Sequence, residues 1–190
     1  MLKQVETMIS EQELILGCKK GKSKYQKLLY EKYSAKMLAI CSRYFQTKDE
    51  AQDALQDGFI KVFTKIDEFR FEGSFEGWIK RIMVTTSLNL HRQNLKHYYH
   101  TDVDQEGFQV QDYSMDYDNL HVEDIMNLIQ SMPNGYKLVF NLYEIEGYSH
   151  AEIADMLEVS VNTSKSQLLK ARKYLQKRIG VKVEEIYENE

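Results

Sequence analysis

The C-terminal part of the chain carries many basic residues without acidic neighbours. Residues 159–183 contain seven Lys or Arg residues and no Asp or Glu. Like charges on one helix repel each other, so such a helix indicates a nearby anion. Ammonium groups contact phosphates, and amide and hydroxyl groups read base edges. These residue types favour DNA binding over the alternative of a helical hairpin with a solvated charged face.

A second segment combines aromatic rings with positive charge. Residues 69–78 hold four aromatic side chains, and Arg70, Lys80 and Arg81 lie within or just after this segment. Aromatic surfaces stack on unpaired bases, and basic groups hold the phosphate backbone. The segment therefore indicates capture of single-stranded nucleic acid, and a flipped base would need a pocket beside it. For Trp78 a role in the core is the expected one.

Enzyme chemistry has little support in this sequence. The one grouping with metal-ligand chemistry consists of His91, His97, His100, Asp102 and Asp104. It lies in a stretch without a regular pattern to fix ligand geometry, so no metal site is expected. There is no Ser-His-Asp grouping or Gly-rich phosphate loop, and Cys18 and Cys41 are isolated cysteines. We expect no enzyme activity, no metal and no cofactor.

The elements that must position these side chains are predicted to be helices. One Pro and nine Gly in 190 residues are too few for a turn-rich sheet protein. A hydroxyl followed three residues later by Glu, the capping-box pattern, occurs at Ser10, Thr47 and Ser149. Further helix starts are predicted at Ser23, Ser74 and Pro133, and helix ends near Asn94 and at Gly147.

Two of these predicted helices form a recognisable pair. The first covers residues 149–157, and a three-residue turn separates it from a basic helix that begins at Val161. Ala154 allows the two helices to cross closely. Leu168 and Leu175, seven residues apart, are predicted to face the core, which leaves the polar side chains on the opposite side. This is the helix-turn-helix arrangement.

The distribution of charge divides the chain into parts. The formal net charge is −4, yet residues 1–96 carry 17 basic and 12 acidic side chains. Residues 97–136 carry eight acidic side chains and no Lys or Arg. The predicted fold is all-α: an N-terminal helical bundle and a C-terminal helix-turn-helix domain, joined by a flexible acidic linker. No apolar run has the length of a membrane span and no signal peptide is recognised, so a cytoplasmic location is expected.

Four motifs in this order resemble the extracytoplasmic-function (ECF) group of bacterial RNA polymerase sigma factors. They are LYEKY at 29–33, DEAQDALQDGFIKVF at 49–63, FRFEGSFEGWIKRI at 69–82, and YSHAEIA at 148–154 with VNTSKSQLLKAR at 161–172. The resemblance implies sigma region 2 at residues 10–95, a linker at 96–119 and sigma region 4 at 120–180. It also implies binding of core RNA polymerase, direction to specific promoters and assistance in promoter melting.

The resemblance also implies roles for individual residues. The expected core polymerase contacts are Asp53, Gln56, Asp57, Phe59 and Lys61, while Leu55 and Phe63 hold their helix to its domain. The expected −10 element contacts are Phe69, Arg70, Phe71, Lys80, Arg81, Thr85 and Asn89; family members often carry Asn where Thr85 stands. The expected −35 element contacts are Asn162, Lys165, Ser166, Leu169, Lys170, Arg172 and Lys173, with the last two on the DNA backbone.

The partners implied are the clamp helices of the largest polymerase subunit, promoter DNA and an anti-sigma factor, with no small-molecule substrate. One alternative is a stand-alone helix-turn-helix regulator with a helical dimerisation domain. Its dimerisation helix should be more apolar than the mixed surface of residues 49–63. A helical adaptor without a nucleic-acid role is the third possibility, and the seven basic residues at 159–183 disfavour it.

Overall fold

The computed structural model describes residues 9–100 and 122–179, except the side chains at 94–100, 122 and 123. These residues form helices and connecting turns without a strand. The α-helices are α1 (Glu11–Lys19), α2 (Ser23–Cys41), α3 (Lys48–Lys65), α4 (Phe75–His100), α5 (Val122–Gln130), α6 (Asn134–Phe140), α7 (His150–Leu157) and α8 (Val161–Ile179). A 3₁₀ turn, Ile66–Glu68, follows α3, and a π-helical turn, Asn141–Ile145, extends α6.

The chain divides into two compact units, Met1–Tyr98 and Tyr99–Glu190. The predicted all-α class with two helical domains is therefore confirmed. The predicted linker at 96–119 lies outside the described residues from position 101 onward. Its first five positions belong to α4, which continues to His100 instead of ending near Asn94. None of the described helices is long and apolar enough to cross a bilayer.

All three predicted capping boxes are present. The side chains of Ser10, Thr47 and Ser149 each accept a hydrogen bond from the N–H three residues later, and the Glu at that position accepts one in return. These reciprocal bonds satisfy backbone donors that have no partner inside the helix, which places the starts of α1, α3 and α7. Ser74 likewise accepts from the N–H of Gly77 at 3.3 Å, ahead of α4.

Two predicted helix starts differ by one residue. Ser23 is the first residue of α2, and Lys22 is its N-cap without a side-chain hydrogen bond. The preceding Gly21 has a φ of 66°, so the chain turns tightly between α1 and α2 without need of a hydroxyl cap.

Pro133 is the N-cap of α6 and Asn134 its first residue. Gly147, with a φ of 80°, follows the π-helical turn, as predicted for a helix end.

In the first unit, α2, α3 and α4 enclose an apolar core. Fully buried members of this core include Leu29, Met37, Val62, Ile79 and Met83. A Cβ atom added at Gly58 on α3 would lie 2.2 Å from the Met83 sulfur on α4. The Met83 side chain therefore packs directly over the backbone of α3 at Gly58, which brings these two helices close together at this point.

In the second unit, α8 is the central helix and packs against α5, α6 and α7. One buried cluster consists of Ile129, Met132 and Ala171, and Leu175 packs against it. Ile153 of α7 and Leu168 of α8 are also buried. Because one side of α8 is used in this way, its other side is left for solvent or a partner.

Candidate nucleic-acid interface

Phe69 and Phe71, the two aromatic residues of the loop before α4, have different environments. Phe69 is only 5% exposed, with ring centroids 4.9 Å from Phe75 and 5.7 Å from Trp78. Its ring is part of the core and offers little surface to DNA, so the role predicted for Phe69 at the −10 element stays a prediction. Phe71 is 42% exposed and has a φ of 61°, which bulky side chains rarely adopt. Phe71 is therefore the loop aromatic whose ring can stack on a base.

A cavity of about 450 Å³ opens beside Trp78, between α3 and α4. Its polar and aromatic lining consists of Lys61, Lys65, Glu68, Trp78, Arg81, Thr85, Thr86 and Asn89. Trp78 is half-buried, so it both packs on the Phe69 and Phe75 rings and forms part of this wall. An aromatic ring, cationic groups, hydroxyls and an amide are the groups that hold an unpaired nucleotide.

Three of the four predicted −10 residues on α4 line this cavity. Arg81, Thr85 and Asn89 are exposed and line the cavity, while Lys80 is partly buried. The Thr85 hydroxyl donates to the Arg81 carbonyl at 2.8 Å, within the same helix. Its proton is therefore engaged, and the oxygen remains available as an acceptor toward a ligand. Arg70, in the loop, is also exposed.

Lys61 faces this cavity rather than the outer surface of α3. Its ammonium group donates to the Thr86 hydroxyl on α4 at 3.1 Å. Asp53, Gln56 and Asp57, with which Lys61 was expected to contact the polymerase, are exposed on α3. Lys61 is separated from them because its side chain connects α3 to α4 at the cavity wall.

Phe59, a predicted polymerase contact, has a buried ring in this structure. Its side chain is 3% exposed, with its ring centroid 4.7 Å from Tyr30 and 5.9 Å from Phe63. The next residue, Ile60, is apolar yet 61% exposed. Spacing could have revealed this, since Leu55, Phe59 and Val62 recur at intervals of four and three whereas Ile60 falls outside that stripe.

A groove of about 370 Å³ between α2 and α3 was not foreseen from the sequence. Its lining residues are Tyr30, Ser34, Ala35, Leu38, Gln52, Leu55 and Gln56. Gln56 joins this groove to the exposed acidic residues of α3, and Leu55 forms its floor as a buried residue. A concave surface with apolar and amide groups is suited to a protein partner.

In the second unit, the helix-turn-helix is present at the predicted residues. The left-handed Glu158, with a φ of 57°, ends α7, and the Ser160 hydroxyl accepts from the Thr163 N–H at 2.9 Å to cap α8. Ala154 and Leu168 are buried between the helices. The exposed side of α8 carries Asn162, Lys165, Ser166, Leu169, Lys170 and Lys173. With Leu169 46% exposed among them, this side combines cationic, polar and apolar groups.

Arg172 has a different environment from these residues. Its guanidinium group forms an ion pair with Glu144 of the π-helical turn, with Nη2 and Nε at 2.7 and 2.9 Å from the same Oε1 atom. Both side chains are about one-third exposed or more. Arg172 therefore braces α8 against the preceding helices at the edge of the exposed basic face.

His150 lies where α7 meets α8. Its Nδ1 atom is 2.9 Å from the hydroxyl of the buried Ser164, and its ring stacks on Tyr143 with centroids 4.5 Å apart. Desolvation lowers the pKa of His150, and the positive charges of Lys165 and Arg172 lower it further. The neutral ring is therefore the form that this helix contact favours.

Groups for enzyme chemistry are scarce among the residues that the structure describes. Within them, no set of three His, Cys, Asp or Glu side chains could hold a metal ion. Of the histidine and aspartate grouping considered above, all but His91 lie outside the described side chains. Burial raises the pKa of the Cys18 thiol to about 11 and also raises that of Cys41, which keeps both in the unreactive protonated form.

Two family models match separate parts of the chain. Residues 29–96 match Sigma-70 region 2, and residues 123–175 match Sigma-70 region 4. The ECF RNA polymerase sigma-E factor of Haemophilus influenzae is 27% identical over 182 residues, spanning 90% of this chain and 96% of that protein. The protein of the same name from Escherichia coli K12 is 27% identical over 182 residues, spanning 90% and 95%.

The fold is also similar to a solved sigma factor structure. That structure is the sigma factor RpoE in complex with the anti-sigma factor NepR from Bartonella quintana. The TM-score is 0.54 at 20% sequence identity, and the match covers 82% of this chain and 96% of that one. At this identity the similarity concerns the fold.

Proposed function

The chain belongs to the ECF group of sigma factors, and from this premise we propose that it binds core RNA polymerase, directs it to specific promoters and assists promoter melting. It is a transcription initiation factor and not an enzyme. One observation carries the proposal. A single chain presents a basic face on α8 and, in its other unit, both a cavity of about 450 Å³ beside Trp78 and an exposed aromatic residue in the loop before α4.

The exposed face of α8 is proposed to bind the −35 element in the major groove. Lys165, Ser166 and Lys170 offer donors to base edges, and Leu169 offers an apolar contact to thymine methyl groups. Lys173 contacts the DNA backbone, and Arg172 stands beside it in its ion pair with Glu144. Phosphate contacts supply affinity, whereas the base contacts supply specificity.

The exposed aromatic and cationic groups of the first unit are proposed to capture the melted −10 element. Phe71 offers its ring for stacking, and Arg70 and Arg81 offer positive charge to the strand. The cavity beside Trp78 has room and polar groups for one base. The protein promotes melting by binding the single-stranded state more tightly than the duplex, which shifts the equilibrium toward the open state.

The α3 surface is proposed to contact the clamp helices of the largest polymerase subunit. Asp53, Gln56 and Asp57 provide polar contacts, and the exposed Ile60 replaces Phe59 as the apolar one. The groove between α2 and α3 lies beside these residues and can receive a partner side chain. The site of action is accordingly the cytoplasm, where core polymerase is found.

An anti-sigma factor is a further proposed partner. The Bartonella sigma factor was solved with an anti-sigma factor bound to it. An inhibitor that covers the α3 surface or the α8 face would block the contacts proposed here.

Transcription from a selected promoter tests the proposal. Promoter fragments are first selected with holoenzyme assembled from core polymerase and this chain, and run-off transcription is then measured. The double variant Lys165→Ala and Lys170→Ala should lose transcription and −35 recognition while its affinity for core polymerase stays at the wild-type value. Lys177→Ala, an exposed basic residue in the last turn of α8, is the matched control and should transcribe normally.

Two results would contradict the proposal. If the chain bound DNA specifically by itself but never joined core polymerase, it would be a stand-alone regulator. If the double variant lost polymerase binding and DNA recognition equally, the α8 face would not be a separate DNA-binding surface.

A further inference from the structure

A lysine at the end of α1 holds the aromatic loop of the same unit. The ammonium group of Lys19 donates to the carbonyl of Phe69 at 2.7 Å and to the carbonyl of Asp67 at 3.2 Å. It also lies 5.3 Å from the centre of the Phe71 ring. One ammonium group therefore contacts two residues of the loop and one residue of the turn that precedes it. Lys19 and Phe69 are 50 residues apart in the sequence.

The loop needs such a constraint because its conformation is unfavourable. Phe71 has a φ of 61°, which costs an L-residue with a side chain free energy and persists only where the surroundings enforce it. On one side, Phe69 is anchored in the core against Phe75 and Trp78. On the other side, the Phe71 ring is 42% exposed and has two neighbours, the Phe69 ring with its centroid 5.2 Å away and the Lys19 ammonium group.

Hydrogen bonds from an ammonium group are stronger than those between neutral groups, and a cation near a ring face adds electrostatic attraction. Both interactions restrict the loop to the conformation in which Phe71 points outward. Loss of Lys19 would leave the backbone at Phe71 free to relax to a negative φ, which would redirect the ring.

We propose that Lys19 is a positioning residue for single-strand capture: it holds the loop so that the Phe71 ring is presented to unpaired bases. The inference rests on the proposed function, in which this loop contacts the melted −10 element. It extends that function to α1, which precedes residues 29–96, the part of the unit that matches the sigma region 2 family model.

The test uses holoenzyme assembled from core polymerase and the full chain. The probe is a fluorescent single-stranded oligonucleotide with the non-template −10 sequence of a promoter selected by wild-type holoenzyme. Lys19→Met should bind this strand about tenfold more weakly, because the strand must then restore the loop conformation that the hydrogen bonds of Lys19 hold in the wild type. Affinity for core polymerase and for duplex −35 DNA should remain unchanged. Lys19→Arg, which keeps the cation and its donors, should restore strand binding.

Two further variants make the result specific. Lys20→Met removes an exposed neighbouring lysine and should behave as wild type. Phe71→Ala removes the ring itself and should weaken strand binding at least as much as Lys19→Met. The double variant of Lys19→Met and Phe71→Ala should be no weaker than Phe71→Ala alone, because Lys19 acts through the position of that ring.

Three outcomes would overturn the inference. If Lys19→Met bound the strand as wild type while Phe71→Ala did not, the loop would bind DNA without help from α1. If Lys19→Met lowered the melting temperature or the affinity for core, and Lys19→Arg did not restore strand binding, Lys19 would have only a structural role. If wild-type holoenzyme bound the strand no better than core polymerase alone, the proposed function of this loop would itself be wrong.

Discussion

Phe59 and Ile60 are neighbours in α3 with opposite environments, and substitutions should separate their roles. Phe59→Ala removes a ring packed on Tyr30 and Phe63 and should lower the free energy of unfolding by about 3–5 kcal/mol. Ile60→Ser should leave stability nearly unchanged and weaken core polymerase binding roughly tenfold, as expected for an exposed apolar contact at an interface. Unfolding is followed by fluorescence of Trp78, the one tryptophan of the chain, and core binding by competition.

Leu16→Ser is the matched control for Ile60→Ser, because Leu16 is also an exposed apolar residue but lies on α1. It should change neither stability nor core binding by much. Equal weakening by both serine variants would mean that Ile60 is not a specific contact.

His150 should make the stability of the second unit depend on pH. Its folded-state pKa is lowered, so the unfolded chain, with a histidine pKa of about 6.5, binds more protons as the pH falls. The contribution of the His150 contact is therefore fully present above about pH 6.5 and is lost progressively as the pH falls below it. Urea unfolding, followed by NMR amide signals of α7 and α8, measures this effect.

His150→Gln is the control for the pH experiment, because it keeps a polar side chain that does not titrate. Wild type should be more stable than His150→Gln at pH 7.5, and this difference in unfolding free energy should become smaller at pH 5.5. The other titrating groups are the same in both proteins, so their effects on the free energy cancel. A difference that stayed constant over this range would show that His150 binds protons equally in both states.

At the scale of elements, the turn of the helix-turn-helix stores strain at Glu158. Its left-handed conformation, with a φ of 57°, costs a residue with a side chain about 1–2 kcal/mol. Glu158→Gly removes that cost. It also makes the unfolded chain more flexible, which stabilises the unfolded state by about 0.4–1 kcal/mol. The variant should therefore stabilise the second unit by up to about 1.6 kcal/mol. Urea unfolding of α7 and α8 measures the change.

The matched control for Glu158→Gly is Asp155→Gly, which replaces another exposed acidic residue by glycine within α7. In a helix interior glycine is unfavourable, so this variant should lose about 1 kcal/mol or less. Opposite signs for the two variants would identify backbone conformation, not removal of charge, as the cause. The same sign for both would contradict this explanation.

At the scale of the whole molecule, charge is segregated along the chain. The net charge of −4 combines an excess of basic groups in residues 1–96 with eight acidic side chains in residues 97–136. The described helix α8 has no acidic residue at all. Binding to DNA depends on local positive charge and on displaced counterions, so an acidic total does not oppose it.

Promoter affinity of the holoenzyme should therefore depend strongly on salt. Lys173→Ala should lower affinity for cognate and altered −35 elements alike, and should reduce the slope of log K against log salt by about one. Asn162→Ala should instead reduce discrimination between −35 sequences and leave the slope unchanged. Titration of promoter fragments at several KCl concentrations measures both. An unchanged slope for Lys173→Ala would remove it from the phosphate-contacting residues.

Much of this organisation follows from local patterns in the sequence. Helix starts at α1, α3 and α7 were predictable because a capping box needs only residues three apart. The helix-turn-helix and the exposed side of α8 were predictable for the same reason, since helical periodicity assigns Leu168 inward and Lys165 outward. The expected end of α4 near Asn94 was wrong: the helix continues to His100, because no Gly or Pro stands between Asn94 and His100 to stop it.

By itself the sequence determined the all-α class, two helical units and the residue types available for binding DNA, because these depend on short-range spacing and composition. The tertiary structure alone decided which of several adjacent candidates face outward. Phe71 rather than Phe69 is exposed because Phe75 and Trp78 of α4 pack around the Phe69 ring. The contact between Lys19 and the Phe69 carbonyl was likewise decided by the tertiary structure, because residues 50 positions apart meet only when the helices pack together.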